Sequence, residues 1–272
     1  MNPIFDSHVH LFPPGVFAAL WRWFDTHAWK IKYRLQAEEA IDFLKARGVA
    51  KMTALVYSHK PEMARMLNQF VAELARANPE VVPLGTVLPG EPDARAILDE
   101  ALGRLQLRGI KLHCHVQKIA PDDPRLDDVW RAATEARVPV VIHAGREPSN
   151  PAYGIDTREL CAASRIERVL QRFPSLKLIV PHLGYDEVSE YEKLLSRYEN
   201  LWLDTTMVIG DFFNLKLPET LFPGRADRLL FGTDFPNIPY DWESELNKIR
   251  ETALTDENRH AILWKNAKDL FD

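Results

Sequence analysis

Along the chain, short apolar runs rich in β-branched residues alternate with longer segments whose apolar positions recur every three or four residues. The runs cover residues 4–8, 54–58, 81–88, 107–113, 138–143, 176–180, 201–204 and 228–231. Each is strand-length and nearly continuous in apolar character, as parallel strands covered on both faces require. Between them, residues 61–78 place Met63, Met66, Leu67, Phe70, Val71 and Leu74 along one helical stripe, with Pro61 suited to a first turn. Residues 92–105, 124–136, 158–173 and 241–254 read the same way, and 256–271 reads as a terminal helix. Strand-like runs alternating with helices predict parallel β/α units. Eight such units predict a (β/α)8 TIM barrel. No Gly-x-Gly-x-x-Gly follows the first run, which removes the main reason to prefer a dinucleotide-binding doubly wound sheet.

One stretch breaks the alternation. Residues 11–33 carry Phe12, Phe17, Trp21, Trp23, Phe24, Trp29 and Tyr33, and the stretch is longer than the two to six residues usual for a βα loop. It is expected as an insertion after strand 1, serving as a helix on the barrel rim, a subunit contact, or a wall of the substrate pocket. No repeat, low-complexity tract or linker is visible, so a single domain over residues 1–272 is expected.

Bulk properties narrow the class without changing it. The 272 residues suit a barrel, for which ~250 is typical. A hydrophobic fraction of 46%, a charged fraction of 27% and a net charge of −5 describe an ordinary globular chain. No basic stripe favours nucleic acid. Neither a signal peptide nor a run of the ~20 apolar residues a membrane helix needs is visible. Cys114 and Cys161 stand far apart and form no metal or pairing motif. A cytoplasmic enzyme acting on a small molecule is expected, with a homodimer compatible.

In a barrel, chemistry collects at the C-terminal ends of the strands. There the polar residues read Asp6-Ser7-His8-Val9-His10 on strand 1, Lys111-Leu112-His113 on strand 4, His143 on strand 5, His182 on strand 6 and Asp234 on strand 8. Residues two apart share a face, so His8 and His10 are expected to point together at the mouth, as are Lys111 and His113. By the same rule Asp234 lies over Gly232, which leaves room beneath the carboxylate. A lone histidine at a strand end means little. Several strands delivering imidazoles or a carboxylate to one end is a joint signal, because buried sheet positions disfavour ionisable groups. Imidazole and carboxylate donors suit zinc and neighbouring divalent metals.

The ordered motifs FDSHVH (5–10), RGIKLH (108–113), VVIHAG (140–145), VPHLG (180–184) and LLFGTDFP (229–236) resemble those of the amidohydrolase superfamily. The resemblance spans nearly the whole chain and lies within the amidohydrolase-related branch that includes aminocarboxymuconate semialdehyde decarboxylase. It implies a metal-dependent barrel with one divalent ion, zinc favoured and manganese, iron or cobalt compatible, a second ion being less favoured. It also implies His8, His10, His143 and Asp234 as metal ligands, with His182 and Asp234 as the catalytic proton carriers. Lys111 would be an ordinary ammonium, a buried ion-pair partner or, as in binuclear members, a carboxylated bridge. Lys111, His113, Tyr57, His59 and Arg146 are the candidate substrate contacts. Hydrolysis by a metal-activated water is the first expectation. Non-oxidative decarboxylation, with Arg22, Arg34 or Arg146 holding a carboxylate, is the alternative, and a non-catalytic metal-binding barrel stands third.

Overall fold

The computed structural model describes residues 3–210, 212–213 and 215–272. Met1, Asn2, Asp211 and Asn214, which the single-domain expectation spans, lie outside them. Among the described residues eight short strands run parallel: β1 (Ile4–Asp6), β2 (Val49–Ala54), β3 (Val81–Pro83), β4 (Ile110–His113), β5 (Val140–His143), β6 (Leu178–Val180), β7 (Leu201–Asp204) and β8 (Leu229–Leu230). They pair as β1-β2-β3 and as β4-β5-β6-β7-β8. Backbone hydrogen bonds join the two sheets at both seams. Gly85 N donates to Gly109 O at 2.8 Å and Lys111 N to Gly85 O at 2.7 Å. At the other seam Ser7 N donates to Phe231 O, Asp234 N to His8 O and His10 N to Phe235 O, each at 2.8 Å. The first seam depends on Gly109, where a Cβ would lie 2.8 Å from Pro139 O. The result is the (β/α)8 barrel that the alternation predicts.

Side-chain alternation sorts the strands into two cores. Phe5, Leu55, Val82, Leu84, Val141, Ile179 and Leu230 fill the barrel interior together with Ala267, Leu270 and Phe271 from the helix Asn266–Phe271. That helix closes the end where the strands begin, since Arg108, just before β4, donates from Nε to Phe271 O at 3.0 Å. Ile110, Leu112, Val140, Ile142, Leu178 and Leu203 face outward against the helices. Met63–Ala77 shows how a helix is held: Met63, Leu67, Val71 and Leu74 are buried one turn apart. Its buried Asn68 accepts from Thr86 N at 2.7 Å and donates to Thr86 O at 3.0 Å, tying the helix to the chain just beyond β3.

Several boundaries depart from the sequence reading. β2 occupies Val49–Ala54, upstream of the run at 54–58, because the buried face at Val49, Met52 and Thr53 is interrupted in sequence by half-exposed Lys51. Residues 55–58 form the strand's exit towards the mouth. The helices Ala37–Lys45 and Val188–Leu195 were not anticipated. The first carries a start signal in Gln36 and Glu39, whose carboxylate accepts from Gln36 N at 2.8 Å. The helix expected over 158–173 is two, Thr157–Leu160 and Ala163–Arg172, parted by extended Cys161 and Ala162. In the aromatic stretch, Pro14–His27 is a helix with Phe17 buried, and Trp29 Nε1 donates to Asn237 O at 2.8 Å. Among the described residues no helix is long and apolar enough to cross a membrane.

Candidate metal centre and cavity

The first strand reaches the mouth by breaking its own alternation. Phe5 lies in the barrel interior and Val9 in the outer core, although residues four apart on a regular strand share a face. The chain bends at Ser7, whose hydroxyl donates to Phe231 O at 2.7 Å. Beyond the bend, the His8 and His10 rings stand 5.2 Å apart. His8 Nε2 lies 3.4 Å and His10 Nε2 3.0 Å from the same Asp234 oxygen. Asp234 holds a left-handed backbone at φ 64°, uncommon for any residue with a side chain and a form of strain that collects at functional sites.

Hydrogen bonds to oxygens that can only accept fix both imidazole tautomers. His8 Nδ1–H donates to the Asp204 carboxylate at 2.7 Å, and His10 Nδ1–H donates to Leu55 O at 3.2 Å. The Nε2 atoms therefore carry lone pairs, and they converge on a carboxylate oxygen. Three electron-rich donors that close repel one another unless a cation lies among them. Together they form a group able to hold a metal ion, and two nitrogens with one oxygen fit a divalent ion with positions left open. Burial pushes the His8 pKa down to about 4, with Lys111 adding to the fall, so the ring is neutral at pH 7. Burial pulls the Asp234 carboxyl upward, but the closeness of His10, His8 and His182 outweighs it and holds the pKa at about 2.

Asp204, at the end of β7, is the functional candidate that sequence reasoning missed. Its Oδ2 orients His8, while its Oδ1 accepts from His182 N at 3.0 Å and Thr206 N at 3.2 Å. Burial opposes its ionisation, yet the His8 charge and hydrogen bond keep its pKa below the usual carboxylate range. A signal was present, since β7 ends in an acid on the face of inward-pointing Trp202. Gly232 makes room for this pair rather than for Asp234: a Cβ there would lie 2.4 Å from Thr206 Oγ1 and 2.8 Å from His8 Cβ.

His182 and His143 form a second arm. His182 Nδ1–H donates to Thr206 O at 3.0 Å, so its Nε2 accepts from His143 Nδ1–H at 3.1 Å. Burial lowers the pKa of both rings, leaving them neutral at pH 7. His182 begins a run of left-handed residues through Tyr185. His143, expected beside His8, His10 and Asp234, is grouped instead with His113 and His115, its ring stacked on His113 at 4.1 Å. The hydrogen bond to His182 holds it there.

Lys111 does not contact the cavity. It is fully buried in the barrel, with Nζ 3.5 Å from His8 Nε2, and no carboxylate among the described residues lies within ion-pair distance. Burial lowers its pKa to about 8. Its distance from the cavity and from any carboxylate among the described residues does not match the expected roles of substrate contact and ion-pair partner. Arg146 is likewise corrected. Its guanidinium pairs with Asp186 at 3.0 Å and Glu187 at 3.2 Å, and it does not line the cavity. Arg34 pairs with Asp25, and neither it nor Arg22 lines the cavity.

Above the cluster lies a cavity of about 1040 Å³. Its polar floor includes His10, His143, His182 and Asp234, and Tyr57, His59 and His113 also line it. Its walls are largely aromatic, with Phe12, Trp23, Phe24 and Trp29 from the stretch after β1 meeting Tyr57, Tyr153, Tyr185 and Phe213. Lys60 and Lys118, both exposed, are the lysines that line it.

Fold and site define a (β/α)8 barrel with a histidine–aspartate cluster, able to hold a cation, at the C-terminal mouth of its strands. A family model described as amidohydrolase matches residues 5–272, and the chain belongs to that family. No curated protein matches it. Solved structures share the fold at low identity. One is an uncharacterised TIM-barrel protein from Bordetella bronchiseptica, 22% identical over 98% of each chain with a TM-score of 0.74. A 5-carboxyvanillate decarboxylase from Sphingomonas paucimobilis is 17% identical over 100% of this chain and 99% of that one, TM-score 0.72. A dihydroxybenzoic acid decarboxylase from a Polaromonas species, with bound manganese and the inhibitor 2-nitroresorcinol, is 17% identical over 100% and 97%, TM-score 0.71.

Proposed function

We propose that the protein is a metal-dependent, non-oxidative decarboxylase of a small aromatic or conjugated carboxylic acid. The observation that carries this reading is the aromatic-walled cavity set directly over the His8–His10–Asp234 cluster. A flat conjugated acid offers faces that stack on such walls and one anionic end for the floor. The likeness to two decarboxylases, one of them with manganese and a nitroresorcinol, supports the same choice over the hydrolase first expected.

In this reading His8, His10 and Asp234 hold a divalent metal, with zinc and manganese both compatible with the donors. When bound, such an ion supplies an anchor for substrate oxygens and draws off charge as it develops. Asp204 keeps His8 in the ligating tautomer. With no arginine lining the cavity among the described residues, anchorage of the carboxylate falls to the floor itself, with Lys60 and Lys118 at the rim. Phe12, Trp23 and Tyr57 hold the ring and exclude water from its faces. His182 and Asp234 are assigned the proton transfer, relaying to the substrate carbon a proton taken up from the substrate's own acid group or from solvent, since neither holds a spare one at rest. The carbon bearing the carboxylate gains a proton, the bond to the carboxyl carbon breaks, and its electron pair returns to the conjugated system. Carbon dioxide leaves, and hydrogen stands in its place.

Hydrolysis of an ester, lactone or amide is the second reading, favoured by the same adjacency of His182 and Asp234 to the cluster. The two are separated by measuring carbon dioxide release from a panel of hydroxybenzoic and unsaturated acids alongside ester, lactone and amide cleavage. Release that is lost in His10→Ala supports the decarboxylase. Cleavage without release on any acid rejects it.

A further inference from the structure

We propose that the substrate carries an apolar tail opposite its carboxylate, an alkyl chain or a second ring, seated between the helix Pro14–His27 and the start of the helix Met63–Ala77. The tail lies in the cavity already described, so the identity of its bearer as a carboxylic acid rests on the decarboxylase reading. The cavity, at about 1040 Å³, stands at the upper end of the roughly 300–1,000 Å³ usual for ligands of drug size. A hydroxybenzoic acid of one ring is far smaller than such ligands. With its carboxylate on the floor, it would leave most of the space above it to water, against walls that are largely apolar.

The helix Pro14–His27 shows where the tail lies. Val16, Ala19, Leu20 and Trp23 follow the i, i+3, i+4, i+7 spacing of an apolar helical stripe, and all four line the cavity. The neighbouring stripe does the packing: Phe17 is buried, and the Trp21 ring stacks on it at 5.5 Å. An apolar stripe ordinarily faces a protein core, and this one faces the cavity. Room is kept along it. A Cβ at Gly15, which also lines the cavity, would meet nothing within 4 Å, and Ala19 adds only a methyl group. Met63 and Met66 supply the other wall. They open the helix that follows β2, the strand paired with β1, which makes them neighbours of the stripe at the mouth. Met66 and Phe212 are the large apolar side chains exposed among the described residues, Met66 at 47%. An unbranched, polarizable methionine packs against ligands of varied shape. The floor residues His10, His143 and His182 are buried, so the path from the floor to Met66 runs outward. That direction sets the tail at the end of the substrate away from the carboxylate. The polar side chains on this side, His59, Lys60 and Glu62, are exposed to water and need no partner from the ligand.

Two series of acids test the tail. Binding of benzoate and its 4-ethyl, 4-propyl and 4-butyl derivatives is measured by isothermal titration calorimetry in the presence of Mn²⁺. These acids lack the ring hydroxyl that would activate them for decarboxylation. Kd should fall about 3–4-fold for each methylene added. Ala19→Trp, which fills the space along the stripe, and Met66→Ser, which removes the opposite wall, should each bring that gain below about twofold. Both positions are exposed, so neither change touches the core. A Kd that does not change along the series, or a gain retained in both variants, overturns the proposal. Carbon dioxide release is then followed from 2-hydroxybenzoate and its 4-alkyl derivatives. A kcat/KM that rises along this series supports the tail and the decarboxylase reading together. Release from 2-hydroxybenzoate with no gain from the alkyl groups overturns the tail and leaves that reading standing. Tighter binding along the benzoate series, with no release from any acid, rejects the decarboxylase reading and keeps the pocket for the tail.

Discussion

Replacing Asp204 by asparagine tests whether the His8–His10–Asp234 cluster is set by a tautomer. The wild-type carboxylate accepts a hydrogen bond from His8 Nδ1–H at 2.7 Å through one oxygen and two from backbone N–H groups through the other. Asparagine has only one accepting oxygen. Kept on His182 N and Thr206 N, that oxygen leaves the amide NH₂ facing His8 Nδ1–H, donor against donor. The ring escapes by moving its proton to Nε2, which abolishes the lone pair aimed at Asp234. Turned the other way, the amide preserves His8 but strands both backbone donors, at about 1–3 kcal/mol for a buried unmet group. Either route weakens the site. Loss of an orienting carboxylate behind a ligating histidine typically costs about 10–100-fold in metal affinity, or about 1.4–2.8 kcal/mol. The assay is competition for Zn²⁺ or Mn²⁺ against a chromophoric chelator, with circular dichroism to verify the fold. A folded Asp204→Asn variant that binds the ion with wild-type affinity would refute the reasoning, since His8 would then need no orienting acid.

Other outcomes follow from the same geometry. Asp234→Asn should lower kcat by about 10²–10⁴-fold and weaken metal binding, read by steady-state kinetics and metal content; unchanged kcat would exclude it from the chemistry. Trp23→Ala, at the wall where its ring lies 5.3 Å from Tyr153, should raise KM for aromatic acids with little change in kcat, as loss of uniform binding does; an equal fall in kcat would place Trp23 nearer the reacting atoms. Glu245 is fully buried and accepts from Tyr240 Oη at 2.8 Å. Burial raises its pKa from 4.5 to about 8. The folded state therefore keeps a proton that the unfolded chain releases above pH 4.5, and stability falls as pH climbs from there towards 8. By pH 7 the penalty reaches about 3 kcal/mol. Glu245→Gln should remove that part of the decline, seen as a smaller difference in Tm between pH 5 and pH 8, and an unchanged difference would mean that Glu245 ionises normally.

The barrel was legible because its information is periodic. Eight apolar runs, each too short for a helix and separated by helical stripes, leave few topologies other than parallel β/α units. Boundaries were less legible because they depend on pairing. At β2, residues 49–54 carry a lysine and look mixed, whereas 54–58 look uniformly apolar, yet only the former find neighbours in register on both sides. The helix Ala37–Lys45 was hidden for a related reason. It is nine residues long and follows an aromatic stretch that dominated the reading of the loop.

The site divides along a different line. Residues able to act as ligands can be proposed from strand ends, because strand ends are periodic too. Residues that orient ligands cannot, because their role depends on distances across the barrel. Asp204 lies 196 positions from His8 and became significant only when their side chains were found 2.7 Å apart. The same limit explains why alternation reached a useful expectation for His8 and His10 by an incomplete argument. A regular strand continuing past Phe5 would have put His8 on the outer face, opposite that interior side chain. The bend at Ser7, held by Phe231 across the seam, turns the chain at the mouth and brings both imidazoles to Asp234. Arg146 shows the converse error: an arginine after a strand end suggests a carboxylate anchor, but two acids that follow β6 claim it first. In the proposed reading substrate choice therefore falls to the aromatic wall and the imidazole floor, which different segments of the chain supply and only the closed barrel brings together.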